Sequence, residues 1–503
     1  MSIDAFYQHL NKGNLSEADR IAAMLYGEER DEAELVMDVY KLNNFGPGPV
    51  APVVNRILSE GQNIPRIHSM ARIVSAGILF WQAKYEKAQA ELEIAENLLK
   101  MASTTSEKAT RHIRAILLFF KGAIHHGLID SNDDLVLKNY QRALEICFEE
   151  GFPLKILVAT IYNNMSVFYK RKGDWPLAIE YNQKILDLCD RIGNRAIQLY
   201  PLIQLGIIQF VQGELALSQE LFQKGLHLSE LYPDKRGTAW ALENLGAVYQ
   251  SKGEFQNALD CYQRALELTQ SIKLAGGADL SAIYYRLFQL HLDMKSSSQA
   301  REYLKKLEEQ SQIDQSLIAQ IHFQMAKALL LKTSQRFKDK AQAQDLFRTV
   351  MENKGTSEGI RFLAMLHLCD LLLQEVKVSG EEKLLVEAQT ITDYVIEQAQ
   401  VWKFAPDLIN TFMLKAKFLL VTGAAQEASN ILKEALQIAK DRALIYLADQ
   451  VRKEQENLKD ELKRWKEFTE RNASLQERLA FAELEDYLQM AIKMRDLKAD
   501  PSK

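Results

Sequence analysis

A pattern of small residues that recurs about every 40 residues constrains the fold of this chain more than any other feature. Four segments align without gaps, and they begin at Asn164, Gln204, Asn244 and Leu414. Each segment contains a glycine at the same place: Gly173, Gly213, Gly253 and Gly423. Glycine adopts the left-handed backbone conformation that ends a helix. The pattern therefore predicts a series of paired helices joined by glycine turns.

Three further positions of the repeat predict how the two helices of a pair cross. The first helix has a small residue seven places before the turn glycine: Ser166, Gly206, Gly246 and Ala416. The second helix has a small residue at the crossing point: Ala178, Ser218, Ala258 and Ala428. Four places later comes a large residue in two repeats, Phe222 and Tyr262, and Asn182 or Leu432 in the others. Ile185 departs from the small residue that follows in the other repeats, Gly225, Ala265 and Ala435.

This arrangement resembles the tetratricopeptide repeat (TPR), and the resemblance continues outward at Ala88, Ala143, Ala300, Ala343 and Ala388. It implies an all-α fold, a right-handed superhelical TPR solenoid of antiparallel helix pairs. The repeats are longer than the commonest TPR. In that respect they are similar to those of kinesin light chains, Pins-type adaptors, bacterial Rap-type peptide receptors and MalT-like regulators.

The domain organisation follows from where this pattern stops. A Pro/Gly-rich stretch at residues 45–52 separates an N-terminal helical cap, residues 1–62, from the TPR array of residues 63–440. Residues 441–503 are expected to form a long charged helix and a final capping helix. An apolar stripe on the long helix permits two interpretations, a cap folded over the last repeat or a coiled-coil dimer seam: Val451, Leu458, Leu462, Trp465 and Phe468. The stripe is short, which favours the cap and a monomer.

Composition excludes several classes of function. The net charge of −5 argues against nucleic-acid binding through a broad basic surface. The apolar stretches at residues 115–120 and 362–373 are too short to cross a membrane, and His367 and Asp370 interrupt the second. The N-terminal residues do not resemble a secretion signal, so we expect a cytoplasmic protein with no membrane partner. The four cysteines are far apart and are expected to be buried free thiols.

No motif for catalysis, a cofactor or a metal is recognisable, so the sequence predicts a protein that is not an enzyme. The adjacent His125 and His126 are the most metal-like feature, but neighbouring side chains on a helix diverge. We expect them to be exposed polar residues at a helix end.

Candidate binding residues lie on the first helices, because in TPR arrays these helices line the concave face. The resemblance places peptide-contacting side chains two to three positions before the small residue. Amides repeat at that level and can bond the N–H and C=O groups of an extended peptide. Tyr200 and Trp240 are candidate apolar anchors, and Lys170 and Arg171 are candidates for pairing with an acidic ligand residue. The predicted site therefore comprises Asn163, Asn164, Lys170, Arg171, Tyr200, Gln204, Trp240, Asn244, Arg286 and Gln289.

Two functions remain open on this basis. The first is a scaffold or adaptor that binds a peptide or helix of a partner protein in the concave TPR groove. The alternative is a peptide-switched or ligand-switched regulator of the Rap-like or MalT-like kind. For either function the site amides could instead solvate the surface or bond a neighbouring helix.

Overall fold

A computed structural model describes most of the chain. The described residues are 2–45, 51–59, 64–82, 84–103, 107–127, 133–149, 151–152, 154–172, 174–232, 234–272, 277–314, 317–353, 356, 358–401, 405–441, 445–471 and 473–482. Throughout these ranges the regular secondary structure is helical. The predicted turn glycine Gly173 lies outside them, as do the Pro/Gly residues 46–50 and the end of the last predicted helix.

The helices of the N-terminal region and the first repeats are α1 (Ile3–Asn11), α2 (Leu15–Met24), α3 (Gly27–Phe45), α4 (Ala51–Ser59), α5 (Pro65–Trp81), α6 (Tyr85–Ser103), α7 (Glu107–Gly127), α8 (Asp133–Phe148), α9 (Ile156–Arg171) and α10 (Trp175–Ile192). A short 3-10 helix, Ala196–Gln198, precedes α11. The central repeats contain α11 (Leu199–Gln212), α12 (Leu215–Leu231), α13 (Lys235–Ser251), α14 (Phe255–Ser271), α15 (Gly277–Asp293) and α16 (Ser297–Asp314).

The remaining helices are α17 (Leu317–Lys332), α18 (Phe337–Glu352), α19 (Glu358–Ser379), α20 (Glu382–Val401), α21 (Ala405–Val421), α22 (Ala425–Asp441), α23 (Ile445–Glu470) and α24 (Leu475–Ala482). An odd-numbered first helix packs against the even-numbered second helix that follows it in the pairs α5/α6, α7/α8, α9/α10, α15/α16, α17/α18, α19/α20 and α21/α22. No helix among the described residues is both long and apolar enough to cross a membrane.

The chain divides into two compact units. Unit 1 contains Met1–Leu205, Gln223–Thr238 and Ser271–Leu274, and unit 2 contains Gly206–Phe222, Ala239–Gln270 and Ala275–Lys503. Each has its own apolar core, which runs from Phe6 to Ile197 in unit 1 and from Tyr285 to Ala482 in unit 2.

Close packing at the small positions explains why the repeat needs them. A Cβ atom added at Gly246 would lie 2.6 Å from the ring of Tyr262, and one added at Gly206 would lie 2.6 Å from the ring of Phe222. These aromatic residues are the predicted large residues of the second helices, and both are fully buried. The turn glycines Gly213, Gly253 and Gly423 have φ values of 90°, 77° and 88°. The prediction of glycine turns and close helix crossings is confirmed at these positions.

The C-terminal helices pack on the last repeats of unit 2. The rings of Trp465 and Phe468 on α23 lie 5.1 and 5.2 Å from the ring of Phe481 on α24. From α24, Arg478 donates a hydrogen bond of 2.8 Å to the carbonyl oxygen of Val421. The side chain of Leu462 lies outside the described residues. These contacts are those of a helix pair folded back on the array.

Candidate functional site

In unit 1, the two predicted amides of α9 lie half-buried and differ in their hydrogen bonding. Asn164 donates from Nδ2 to the carbonyl oxygen of Thr160 at 3.0 Å, within its own helix. The Tyr140 hydroxyl donates to Asn164 Oδ1 at 3.5 Å. The neighbouring Asn163 Oδ1 is buried and has no hydrogen-bond partner among the described residues. Asn163 therefore retains an acceptor that a ligand could use, while one donor of Asn164 is taken.

The structure brings two of the predicted residues together. Lys170 Nζ donates to Gln204 Oε1 at 2.8 Å, and the two residues are only 5% and 1% exposed. Because both are covered, this contact joins α9 to α11 inside unit 1. Arg171 ends α9, and its side chain lies outside the described residues.

Tyr200, a predicted apolar anchor, uses its hydroxyl inside unit 1. It donates to Asp234 Oδ2 at 2.8 Å. The other carboxylate oxygen of Asp234 accepts the backbone N–H groups of Arg236 and Gly237 at 3.1 and 3.0 Å, and so caps the start of α13. Burial, followed by the Asp234 charge, raises the pKa of Tyr200 well above its ordinary value. Sequence reasoning had not selected Asp234.

In unit 2, Asn244 repeats the geometry of Asn164. Its Nδ2 donates to the carbonyl oxygen of Trp240, four residues earlier, at 2.8 Å. Trp240 is half-buried at the second predicted anchor position. The two asparagines occupy equivalent places in their repeats and satisfy one donor in the same way, so this bond is a property of the repeat.

The other predicted residues of unit 2 belong to a buried polar layer. Arg286 Nε lies 3.9 Å from Glu243 Oε1, which connects α15 to α13. Gln289 donates from Nε2 to the Tyr285 hydroxyl at 3.3 Å. Arg286 and Gln289 are 6% and 7% exposed. Polar side chains thus occupy first-helix positions that are otherwise apolar.

This layer continues through later first helices where no site residue had been selected. His322 Nδ1 of α17 lies 3.0 Å from the Ser281 hydroxyl of α15. Lys332 Nζ lies 2.5 Å from Asp370 Oδ2 and links α17 to α19. Lys417 of α21 pairs with Glu454 of α23 at 2.6 Å, and both side chains are 3% exposed. One sequence feature pointed to this polar layer, because Asp370 interrupts an otherwise apolar stretch.

Cysteines and histidines form no metal or redox centre in the part of the chain that the structure describes. The four cysteines are buried free thiols, as predicted. Burial raises the pKa of Cys189 and Cys369 to about 12. Within the described ranges, His, Cys, Asp and Glu form no group of three or more with metal-binding geometry. The expectation that His126 is exposed is wrong, because its ring is buried and packs at 5.5 Å, edge to face, on Phe168.

Comparisons with known proteins agree with this architecture. The family model of the MalT-like TPR region matches residues 139–447, more than half of the chain. The apo form of the quorum sensor NprR from B. thuringiensis has a TM-score of 0.50 and 14% identity, covering 72% of this chain and 99% of that chain. NprR in complex with its cognate peptide NprX gives a TM-score of 0.48 at 14% identity, with the same coverage. At this identity the likeness concerns the fold alone.

A relative found by sequence is the outer dynein arm-docking complex subunit 4 of Xenopus laevis. It is 22% identical over 148 residues, which are 29% of this chain and 26% of that protein. This chain therefore spans about a quarter of that relative's length. The all-α TPR-solenoid fold inferred from the repeats is confirmed by the helix pairs and the family match. With more than half of its residues matched by the family model, the chain belongs to the MalT-like TPR family.

Proposed function

We propose that this chain, a protein-interaction or regulatory scaffold of the TPR class, is a non-catalytic adaptor that binds an extended peptide or helix of a partner protein. The proposed contacts are polar side chains on first helices, considered separately in each unit: those of α9 and the start of α11 in unit 1, and those of α13 and α15 in unit 2. We infer further that the protein acts as a cytoplasmic monomer, without a cofactor, and that nucleic acids and membranes are not its ligands.

The observation that carries this proposal is the repetition of polar side chains at one level of otherwise apolar first helices. Asn164 and Asn244 take the same half-buried position in their repeats. Each donates a hydrogen bond to the carbonyl oxygen four residues earlier in its own helix. Such a bond fixes the direction of the amide and leaves its second N–H group for a ligand. Asn163 adds a buried acceptor without a described partner. Preorientation of this kind lowers the entropy lost when a peptide binds.

Lys170, Arg286 and Gln289 have a supporting role in this proposal. Their polar groups contact Gln204, Glu243 and Tyr285, and the three residues are nearly covered. Lys170 and Arg286 link neighbouring first helices, and Gln289 bonds within α15. The relative found by sequence is consistent with a protein partner, since it is named as a docking-complex subunit.

The experiment is affinity capture from a source lysate with the double variant Asn164→Ala/Asn244→Ala beside the wild type. The matched control is Gln183→Ala/Gln256→Ala, because these amides are exposed on the second helices of the same two pairs. We expect partners captured by the wild type and the control to be depleted at least tenfold by the Asn variant. Capture that is unchanged would refute the site, and so would a large fall in melting temperature with the Asn variant alone.

The family match favours a second candidate, a regulator that changes shape on binding a ligand. Stacked repeats can change their mutual orientation when a ligand binds one arrangement better. Small-angle scattering of the protein with and without captured partner peptides tests this idea. If no bound peptide alters the scattering profile, the regulator hypothesis is refuted and the adaptor function remains as the single proposal.

A further inference from the structure

The N-terminal helices of unit 1 are held at the starts of several first helices by a buried carboxylate. Glu32 of α3 accepts a hydrogen bond of 2.7 Å from the Tyr7 hydroxyl of α1. The same carboxylate lies 3.2 Å from Arg66, the second residue of α5, and 3.2 Å from Nε2 of His112 on α7. The side chains of Glu32 and His112 are 6% and 7% exposed. One acidic side chain therefore joins α1 and α3 to two repeats.

The α1–α2 turn extends this contact to the next two first helices. Asn11 Oδ1 accepts the N–H of Ile156, the first residue of α9, at 3.1 Å. At the turn itself, a Cβ atom added to Gly13 would lie 2.5 Å from Oδ1 of Asn194, in the connection before α11. Gly13 has φ of 73°, so both its conformation and its surroundings require glycine. The N-terminal helices thus contact the starts of α5, α7 and α9 and the segment before α11.

The charge on each side of this contact is complementary. The repeats contribute the Arg66 guanidinium, the His112 ring and the Ile156 N–H at the start of α9. The N-terminal helices contribute acceptors and aromatic groups, namely Glu32, Asn11 and Tyr7. Helix starts and cations favour acidic ligands. The surface on the repeats therefore has the chemistry of a receptor for an acidic helix.

Two features favour exchange of the present occupant with another helix. The Pro/Gly-rich stretch directly after α3 separates α1–α3 from the array in sequence. In addition, α3 buries Asp38, whose Oδ2 has no hydrogen-bond partner among the described residues. Burial raises the pKa of this carboxyl to about 7 against the opposing charge of Lys41. The charged groups that act on Asp38 all belong to α2 and α3, namely Lys41, Glu34 and Asp19, so its ionisation lowers the stability of the packed N-terminal helices as the pH rises towards and above 7.

We propose that the starts of α5, α7 and α9 form a second docking surface, which accepts an acidic, aromatic-bearing helix of a partner protein in place of α1–α3. The N-terminal helices are the built-in occupant of this surface, and the partner exchanges with them. This surface does not include Asn163, Asn164 or Asn244 of the proposed groove. An experiment can therefore refute the docking surface without refuting the groove, and the reverse.

The test uses a fluorescein-labelled synthetic peptide of residues 3–45 as the probe and fluorescence anisotropy with the full chain. The variant Asn11→Ala/Glu32→Gln weakens the contacts that hold the chain's own α1–α3 on the starts of α5, α7 and α9, and we call it the loosened chain. We expect it to bind the probe at least tenfold more tightly than the wild type does, because its surface is more often vacant. Adding Arg66→Gln to the loosened chain should weaken binding about fivefold or more, whereas adding the exposed Arg301→Gln should not.

Equal binding of the probe by the wild type and the loosened chain would overturn the proposal, and so would an Arg66→Gln substitution without effect. Hydrogen exchange of the wild-type chain provides a second measurement if the loosened variant does not fold. Amides of α1–α3 should exchange together and faster than those of α5, α7 and α9. Protection of α1–α3 equal to that of those helices would overturn the proposal as well.

Discussion

The helix pairs α9/α10 and α13/α14 have the same repeat pattern but different chemistry at the crossing. In α13/α14, Gly246 faces the fully buried ring of Tyr262. In α9/α10, Ser166 takes the glycine position and Asn182 the aromatic position, and Asn182 Nδ2 donates to Ser166 Oγ at 2.6 Å. Ser166 also donates to the carbonyl oxygen of Ala178 at 3.1 Å. One crossing is therefore filled by an aromatic ring and the other by hydrogen-bonded polar groups.

From this difference we infer that a loss of side-chain volume at one position of the repeat is balanced by a gain at a neighbouring position. Asn182 is smaller than Tyr262, but three residues later Ile185 is larger than Ala265. Residues three apart lie on the same face of a helix. Ile185 is 2% exposed and Ala265 is fully buried, so both belong to the packed interior of their pairs. We therefore expect the departure of Ile185 from the repeat pattern to compensate in part for the smaller Asn182.

Truncating the large residue should produce the largest contrast between the two pairs. Tyr262→Ala is expected to lower the free energy of unfolding by about 3–5 kcal/mol, because it empties a buried ring-sized space. Asn182→Ala should lower it by only about 1 kcal/mol, since the lost hydrogen bonds are partly offset by removal of the unpartnered Oδ1. Urea denaturation followed by circular dichroism measures both. Equal losses would contradict the distinction between an apolar and a polar crossing.

Adding a methyl group at the small position should have the next largest effect. Gly246→Ala is expected to destabilise the protein by about 2–3 kcal/mol, because the new Cβ would meet the Tyr262 ring at 2.6 Å. At an unhindered helical position the same change stabilises by about 1 kcal/mol. Thermal unfolding of Gly246→Ala in the wild type and in the Tyr262→Leu background checks the cause. If Gly246→Ala costs as much in the Tyr262→Leu background as it does in the wild type, the ring contact is not responsible.

Replacing the residues of the α9/α10 crossing by those of the α13/α14 crossing tests directly whether side-chain volume is compensated. Asn182→Tyr alone should destabilise α9/α10 by about 1–3 kcal/mol through overpacking against Ile185. The triple variant Ser166→Gly/Asn182→Tyr/Ile185→Ala should recover most of this loss, because it rebuilds the α13/α14 combination. A mutant cycle in urea measures the coupling between residues 182 and 185. Additive effects would mean that Ile185 does not compensate for Asn182.

The smallest effect is expected where the two pairs are alike. Asn164→Ala and Asn244→Ala each remove the bond from an amide to a carbonyl of its own helix, and Asn164→Ala also removes the long hydrogen bond from the Tyr140 hydroxyl. Each change should alter stability by less than about 1 kcal/mol, because such bonds are partly replaced by solvent and alanine is the better helix former. Thermal melts of the single variants measure this. A loss of several kcal/mol at either position would assign that asparagine to the fold and remove it from the proposed site.

Sequence reasoning was most successful where the physical cause is local. The left-handed φ values of Gly213, Gly253 and Gly423 and the close helix approach at Gly246 were expected, because each depends on one residue or on one helix pair. It was less successful for the site. It identified the level of Asn164 and Asn244, but not the carbonyl groups that they bond.

The sequence by itself determined the repeat, its phase and the all-α class, because glycine turns and small residues at a helix crossing have the same meaning in every repeat. Only the tertiary structure decided how Lys170 pairs with Gln204, how Tyr200 meets Asp234 and where the N-terminal helices dock. These contacts join residues 34 or more positions apart, up to 145 for Asn11 and Ile156. The partner of a polar side chain at such a separation depends on which surfaces packing brings together, and no local pattern records it.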